Sequence, residues 1–319
     1  MHNATSSTPQ PLRAFTRSVI KLAGNTHVIS LPAAWARQHA ITKGNTLTLT
    51  ETDTGLLIQP HVTRATRTVH LDITGLHTSA IWYAVTGAYI SGAEEIRLTH
   101  TNTTTLHRPH QRRILVSAFL AELADGLPGI DVVHHTTTST TLRELSAPKN
   151  DELPTALTRL FHTVTTMTTE TVNALTHKDT QAAELARIYE TKINKLHHYC
   201  LRILNLSNDP VPRITATRNV VGALEDIGDA NTFLLKHATT IPRTYTQTAK
   251  NAIDLVTTLH DIWHGDTLAH LGDLYDKAHT IIDDTTTKHD VHSIALNRIS
   301  NAALQVIAAK LSIPDTHAT

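Results

Sequence analysis

The chain has 319 residues, and its 28 Lys plus Arg are balanced by 28 Asp plus Glu, so any nucleic-acid footprint must be local rather than global. That length leaves room for two or three domains, each able to bury a core. The single cysteine, Cys200, excludes an intramolecular disulfide and any cysteine-built zinc site, and it fits a reducing compartment. Thr is abundant and 23 His are scattered without pattern, while aromatic residues make up 4%, which reads as compositional bias before chemistry.

Residues 1–12 are polar with no apolar signal core and read as a disordered tail. No later run is long and uncharged enough to span a bilayer, so a soluble, cytoplasmic protein without membrane insertion is expected. Residues 18–22 and 27–31 alternate apolar and polar positions as half-buried strands do, and Gly24-Asn25 between them is turn chemistry. Pro32 sits where a first helical turn tolerates proline, 33–38 is a short helix, and Lys43-Gly44-Asn45 turns into a second alternating run at 46–50. A unit this small exposes its apolar face unless a second copy covers it, so the expectation is an obligate homodimer.

The ordered string of Gly24, Ser30-Leu31-Pro32, Trp35 and Gly44 resembles the SpoVT/AbrB swapped-hairpin family of DNA-binding domains, over residues 13–62. The resemblance implies an intertwined dimer that presents basic residues of the first strands and adjoining loops to double-stranded DNA. The positions of the right type are Arg13, Arg17, Lys21, His27, Arg37 and Lys43, with few acids among them before Glu51. Phosphate contacts from such residues give salt-dependent, mostly sequence-tolerant affinity. On the competing reading they are ordinary solvated charges on a dimerisation module.

Residues 64–147 change pattern. Val69, Leu71 and Ile73 alternate as a strand, and Ile81, Val85, Ala88 and Tyr89 fall at helical spacing before a stop at Gly92. Ile96 and Leu98 mark a second strand, Ile114, Leu115, Ala118, Phe119 and Leu123 a second helix ending near Gly126, and Ile130 and Val132 a third strand. This β-α-β-α-β order predicts a small α/β domain with helices on one or both faces. The glycines at 75, 87 and 92 have neither phosphate-loop nor dinucleotide spacing. His107 with His110, and His134 with His135, invite a metal reading, but no local third ligand supports it.

From residue 151 to 313 strand signals disappear, and six helical segments are expected at 153–177, 180–206, 214–239, 245–263, 266–284 and 290–311. Asp179-Thr180 is cap-like, Ser207 to Pro210 and Pro212 break the chain, and Pro242 and Gly265 punctuate later. Val220, Leu224, Ile227 and Leu234 form one apolar stripe, and Leu185, Ile188, Leu196 and Ile203 another, as in an antiparallel bundle. Residues 189–194 can be laid on 275–280, and 224–229 on 296–301, so the region reads as two copies of a three-helix unit, at about 153–241 and 245–312. Cys200 lies at helical spacing from Ile193 and Leu196 and reads as a packed thiol.

The run from Arg213-Ile214 through Arg218 to Leu224-Glu225-Asp226-Ile227-Gly228-Asp229-Ala230 is similar to the characteristic third helix of the PhoU family, the regulators of phosphate uptake and signalling built as two three-helix repeats. The whole order is similar to archaeal PhoU-related proteins that carry an AbrB-type domain in front. The expected fold is therefore a small swapped-hairpin β domain, a small α/β domain and an all-α bundle of two three-helix repeats. The resemblance also implies acids placed four apart that can hold a divalent ion such as Mg, Mn, Fe or Zn. Glu225 and Asp229 keep that spacing, with Glu190 and Asn194 on the preceding helix, whereas the second repeat has Asn297 and Asn301 in place of the acid pair. Amides are neutral and weaker ligands, so any such site would be weak. Alternatively, Glu225 and Asp229 cap or pair with Arg and Lys across the bundle.

No catalytic constellation is visible, since Cys200 has only His197 and His198 of its own helix as neighbours in sequence. The expected function is a non-enzymatic, DNA-binding regulator of phosphate uptake or homeostasis. The runner-up is an adaptor that docks on a phosphate-transporter subunit or a signalling kinase, with the N-terminal segment serving only dimerisation; a metal-dependent phosphohydrolase is a distant third.

Overall fold

The computed structural model describes residues 14–22, 24, 26–52, 55–60, 66–265 and 270–313. The chain divides into two compact units, Met1–Ala65 and Thr66–Thr319.

In the first unit β1 (Ile20–Lys21) pairs antiparallel with β2 (His27–Val28), with Ile20 opposite Val28 and Lys21 opposite His27. Gly24 takes φ +85° between them, a conformation that glycine adopts at little cost. Helix α1 (Ala33–Gln38) starts after Pro32. The side chain of Asn45 accepts a hydrogen bond from Thr42 N at 2.6 Å, closing the turn in which Gly44 has φ +92°. The hairpin of β3 (Leu47–Thr52) and β4 (Gly55–Pro60) follows. None of the described residues of this unit is buried in the single chain. Val19, Ile20, Leu22, Leu49 and Leu56 are each more than half exposed.

The second unit opens with β5 (Thr68–Asp72), α2 (Thr78–Ile90) and β6 (Glu95–Thr99), the two strands being parallel. A separate hairpin, β7 (Thr104–His107) with β8 (Arg112–Leu115), leads into α3 (Val116–Asp125), β9 (Ile130–His135) and β10 (Ser139–Glu144). The sheet order is β5-β6-β10-β9, with β10 antiparallel to both neighbours. Ile96, Leu98 and Leu142 are buried in one core with Ile81 and Val85 of α2 and Leu120 of α3, so both helices cover the same face. On the other face Glu95 is clamped by Arg97 at 2.5 Å and Arg143 at 2.7 Å, and the hydrogen bonds from Arg143 and then Arg97 hold its carboxyl below the usual range.

This arrangement adds three strands to the expected order. Strand β10 is Thr-rich and carries Leu142 as its one large apolar residue, so local periodicity does not mark it; it is a strand because it completes the hydrogen bonds of two neighbours. Ile114 and Leu115, expected to begin the second helix, belong instead to β8, opposite Thr105 and Thr104. The helix begins one residue later, at Val116.

The remaining helices are α4 (Leu153–His177), α5 (Thr180–Leu206), α6 (Val211–His237), α7 (Thr246–His264), α8 (Leu271–Thr286) and α9 (Val291–Leu311). Asp179 caps α5 by accepting from Gln181 N and Ala182 N, and Asp290 caps α9 by accepting from His292 N and Ser293 N. Pro212 does not precede α6 as expected but lies in its first turn, where the missing N–H has no intrahelical partner to lose. Helix α6 packs along α9 and α4 along α7, which joins the two three-helix repeats around one core. At the crossing of α5 and α6 a Cβ on Gly228 would lie 3.2 Å from Ile193 Cδ1, so this glycine permits close helix approach. Val220, Leu224, Ile227 and Leu234 are buried as expected. Leu185 and Ile188 are not, because the α/β elements dock on α5 only further along, between Asn194 and Asn205.

That docking centres on Arg202, 1% exposed, whose guanidinium donates to Tyr89 O, to Ala93 O at 3.0 Å and to Glu144 Oε1 at 2.5 Å. It also lies 4.7 Å over the Tyr89 ring, whose hydroxyl donates to Pro128 O. Gly92, at φ +90°, completes the seam: a Cβ there would stand 2.6 Å from both Arg67 Nη1 and Leu206 Cδ2. Replacing Arg202 by Leu leaves the Ala93 carbonyl and a largely buried carboxylate without their donor, and Tyr89 O with the Gly92 N–H alone. The expected cost is about 3–5 kcal/mol, read in calorimetry as a fall of roughly 10 °C in Tm with helical content retained.

Candidate functional site

The first unit concentrates cations on strands, helix end and turn. Arg17 is exposed, donates to Thr16 O at 2.9 Å and lies 5.7 Å from the Phe15 ring centre. Lys21 and His27 are cross-strand partners on β1 and β2, and such a pair holds its two side chains side by side. Arg37 stands in the last turn of α1 and Lys43 in the turn before β3. All five side chains are exposed, and among the described residues none forms an ion pair. Arg13, expected to join them, lies outside the described residues, as do residues 1–12.

On α6, Glu225 is half-buried beside exposed Asp226 and Asp229. Burial first, and then the charges of Asp229 and Asp226, push the Glu225 carboxyl up to about 7, while Arg298 of α9 pulls it down. Among the described residues no three His, Cys, Asp or Glu side chains come together so as to hold a metal ion, so Glu190 does not join Glu225 and Asp229. Asn194 instead lines a cavity of about 180 Å³ at the junction with the α/β elements, with Trp82, Lys195 and His198. The resident cation near the α6 acids is the Arg298 guanidinium. In the second repeat Asn301 Nδ2 donates to Asn297 Oδ1 at 2.7 Å and Asn297 Nδ2 donates to Thr285 Oγ1 at 3.2 Å, so these amides satisfy one another. Such a donor set suits a pair of matched helices better than a divalent ion.

The histidines behave similarly. His107 and His110 stack at 4.8 Å and His134 and His135 lie on β9, without a third ligand among the described residues. Three further histidines meet at one end of the bundle: His260 and His264, four apart on α7, lie 4.6 Å from each other, and His162 of α4 stacks on His260 at 4.8 Å. Cys200 is fully buried, and burial pushes its thiol up to about 12, which removes it as a nucleophile. Burial likewise pulls His197 and His198 down to about 4, so neither carries charge at neutral pH.

Residues 157–234, from α4 into the last turns of α6, match the PhoU domain family. Residues 20–66 match the antidote-toxin recognition family MazE of bacterial antitoxins. The chain joins a PhoU domain to an N-terminal MazE/AbrB-like domain. The PhoU match covers the first three-helix repeat, and the second repeat extends the same architecture through α7 to α9. Residues 67–156 lie in neither match, no curated protein and no solved structure matches the chain, and no helix of the described residues is long and apolar enough to cross a membrane.

The raised Glu225 carboxyl makes stability depend on pH. Between its ordinary 4.5 and about 7 the folded PhoU domain holds a proton that the unfolded chain has released, so this group makes stability fall as pH rises through that window. Glu225→Gln should remove that part of the fall: its Tm should match the parent near pH 4.5 and exceed it by a few degrees above pH 7, in calorimetry across that range.

Proposed function

We propose that the protein is a non-enzymatic, DNA-binding regulator of phosphate uptake or homeostasis, in which a homodimer of the MazE/AbrB-like unit contacts duplex DNA and the PhoU domain carries the signal. The observation that carries this reading is the character of the first unit. It leaves its apolar side chains exposed in a single chain and sets Arg17, Lys21, His27, Arg37 and Lys43 on its surface. A second copy would cover that apolar surface, and exposed cations of this kind give salt-dependent affinity for the phosphates of a duplex. The chain as a whole is neutral, so any attraction for DNA is local.

The adaptor reading, in which the PhoU domain docks on a transporter subunit or kinase, calls for a continuous apolar patch on the bundle. Its large exposed apolar side chains, such as Ile188, Val211, Tyr275 and Ile294, are spread over separate helices, which supports the DNA-binding reading.

Light scattering at micromolar concentration should give twice the chain mass, and a monomer would remove the dimer. Replacing Arg17, Lys21 and Arg37 together by Ala should weaken duplex binding and lower the slope of log affinity against log salt by about 0.9 for each phosphate that is no longer neutralised. An unchanged affinity and slope would show that these cations are not the footprint.

A further inference from the structure

The α/β segment that neither family match covers ends its parallel strand pair in a cavity of about 310 Å³. The loop after β5 and the loop after β6 form one wall and the β7–β8 hairpin the other, with Thr105 Oγ1 donating to Leu76 O at 2.7 Å to fasten the hairpin over the first loop. This is the crevice outside the carboxyl ends of parallel strands, at the start of the 13-residue helix α2, where N–H groups and the helix dipole favour an anion. Its volume falls at the lower end of small-molecule sites, roughly 300–1,000 Å³.

The lining holds two guanidiniums and two imidazoles and no carboxylate. Arg113 is positioned by Thr104, to which its Nε donates at 2.9 Å and its Nη2 at 3.0 Å, leaving Nη1 for a ligand. Arg108 is exposed on the same hairpin. His77 caps α2, and its Nδ1 accepts from Ala80 N at 3.2 Å, so the neutral ring carries its proton on Nε2. His100 is the decisive residue. It is 5% exposed, and its Nδ1 lies 3.0 Å from Asn102 O, a carbonyl that can only accept, so Nδ1 carries a proton. Its Nε2 is buried and has no hydrogen-bond partner. His100 is one of the lining residues, and a buried polar atom on such a residue, left unpaired by the protein itself, points to a partner that arrives from outside.

We propose that this cavity binds a small molecule through a phosphate group. Arg108, Arg113 and the His77 Nε2–H supply charge and donors to the phosphate oxygens, while the His100 Nε2 accepts from a hydroxyl of the ligand, the P–OH of hydrogen phosphate or a sugar hydroxyl of a phosphate ester. Sulfate has the same shape but no proton to offer at neutral pH. The binding chemistry is independent of DNA recognition; the role of the cavity as the input of a regulator rests on the function proposed above.

Isothermal titration of the full chain near neutral pH with sodium phosphate, with AMP and with sodium sulfate tests this. Saturable binding of phosphate or of AMP is expected, and whichever binds more tightly distinguishes the free ion from an ester. Sulfate should bind about tenfold more weakly or worse, since it cannot donate the hydrogen bond and leaves an acceptor facing an anion. Arg108→Ala with Arg113→Ala should weaken binding by about tenfold or more while lowering the Tm of the unliganded protein by no more than a few degrees, because both side chains are exposed and only the Arg113 bonds to Thr104 are lost. His100→Leu should weaken binding without unfolding the protein, and His100→Gln, which keeps an acceptor, should restore part of it. The proposal is overturned if neither phosphate nor AMP binds, if sulfate binds as well as they do, or if the double arginine variant binds like the parent. Duplex binding is measured separately, so failure of one reading leaves the other standing.

Discussion

A guanidinium with almost no surface in water carries a large desolvation penalty, and the larger unit is arranged around one. Arg202 projects from α5 into the ends of α2, β6 and β10, where two backbone carbonyls and the Glu144 carboxylate take up its donors. Desolvation of such a charge is offset only when nearly every donor is paired in good geometry, so the seam tolerates one relative placement of the α/β elements and the bundle. Gly92 enforces the same placement sterically, since any side chain there would strike Arg67 and Leu206. The consequence is that residues 66–319 form one compact unit, in which the α/β segment is built onto the PhoU domain rather than tethered to it.

The first unit obeys a different constraint. Its strands are too few and its helix too short to enclose a core, and glycines at φ +85° and +92° commit the chain to tight turns instead of to thickness. Surface that cannot be buried within one chain is a physical basis for association, and among the described residues the cations of the same small unit are exposed. The two properties are linked in the proposed dimer: a module that gained its core from a second copy would present two symmetry-related sets of charge.

Within the bundle the two repeats have diverged where they meet. Glu225, Asp226 and Asp229 on α6 remain acidic, whereas the matching stretch of α9 carries Asn297, Arg298 and Asn301. A cluster of like charges on packed helices repels itself and so adds to the burial that pushes the Glu225 carboxyl up, and Arg298 supplies the compensation that a bound cation would otherwise give. The amides of α9 pair with each other and with Thr285.

Much of this was legible in the chain. Helices α4 and α5 begin and end where caps and periodicity place them, because a helix is fixed by residues three and four apart and by its first turn. The turn glycines, the short helix after Pro32 and the apolar stripe of α6 were equally readable, for the same local reason. The α/β segment was readable only in part: β10 and the β7–β8 hairpin exist through hydrogen bonds to partner strands, and a polar, Thr-rich run carries no periodicity that announces them. The acids of α6 were singled out by the resemblance to the PhoU family, yet spacing along a helix says nothing about which neighbouring helix faces it, so the placement of Glu190 and Asn194 appeared only in the packing. The burial of Arg202 and the unpaired nitrogen of His100 belong to the same class. Neither residue differs in sequence from the many exposed Arg and His of this chain, because burial and hydrogen-bond satisfaction are properties of a three-dimensional neighbourhood, whereas turns, caps and helical faces are properties of a few consecutive residues.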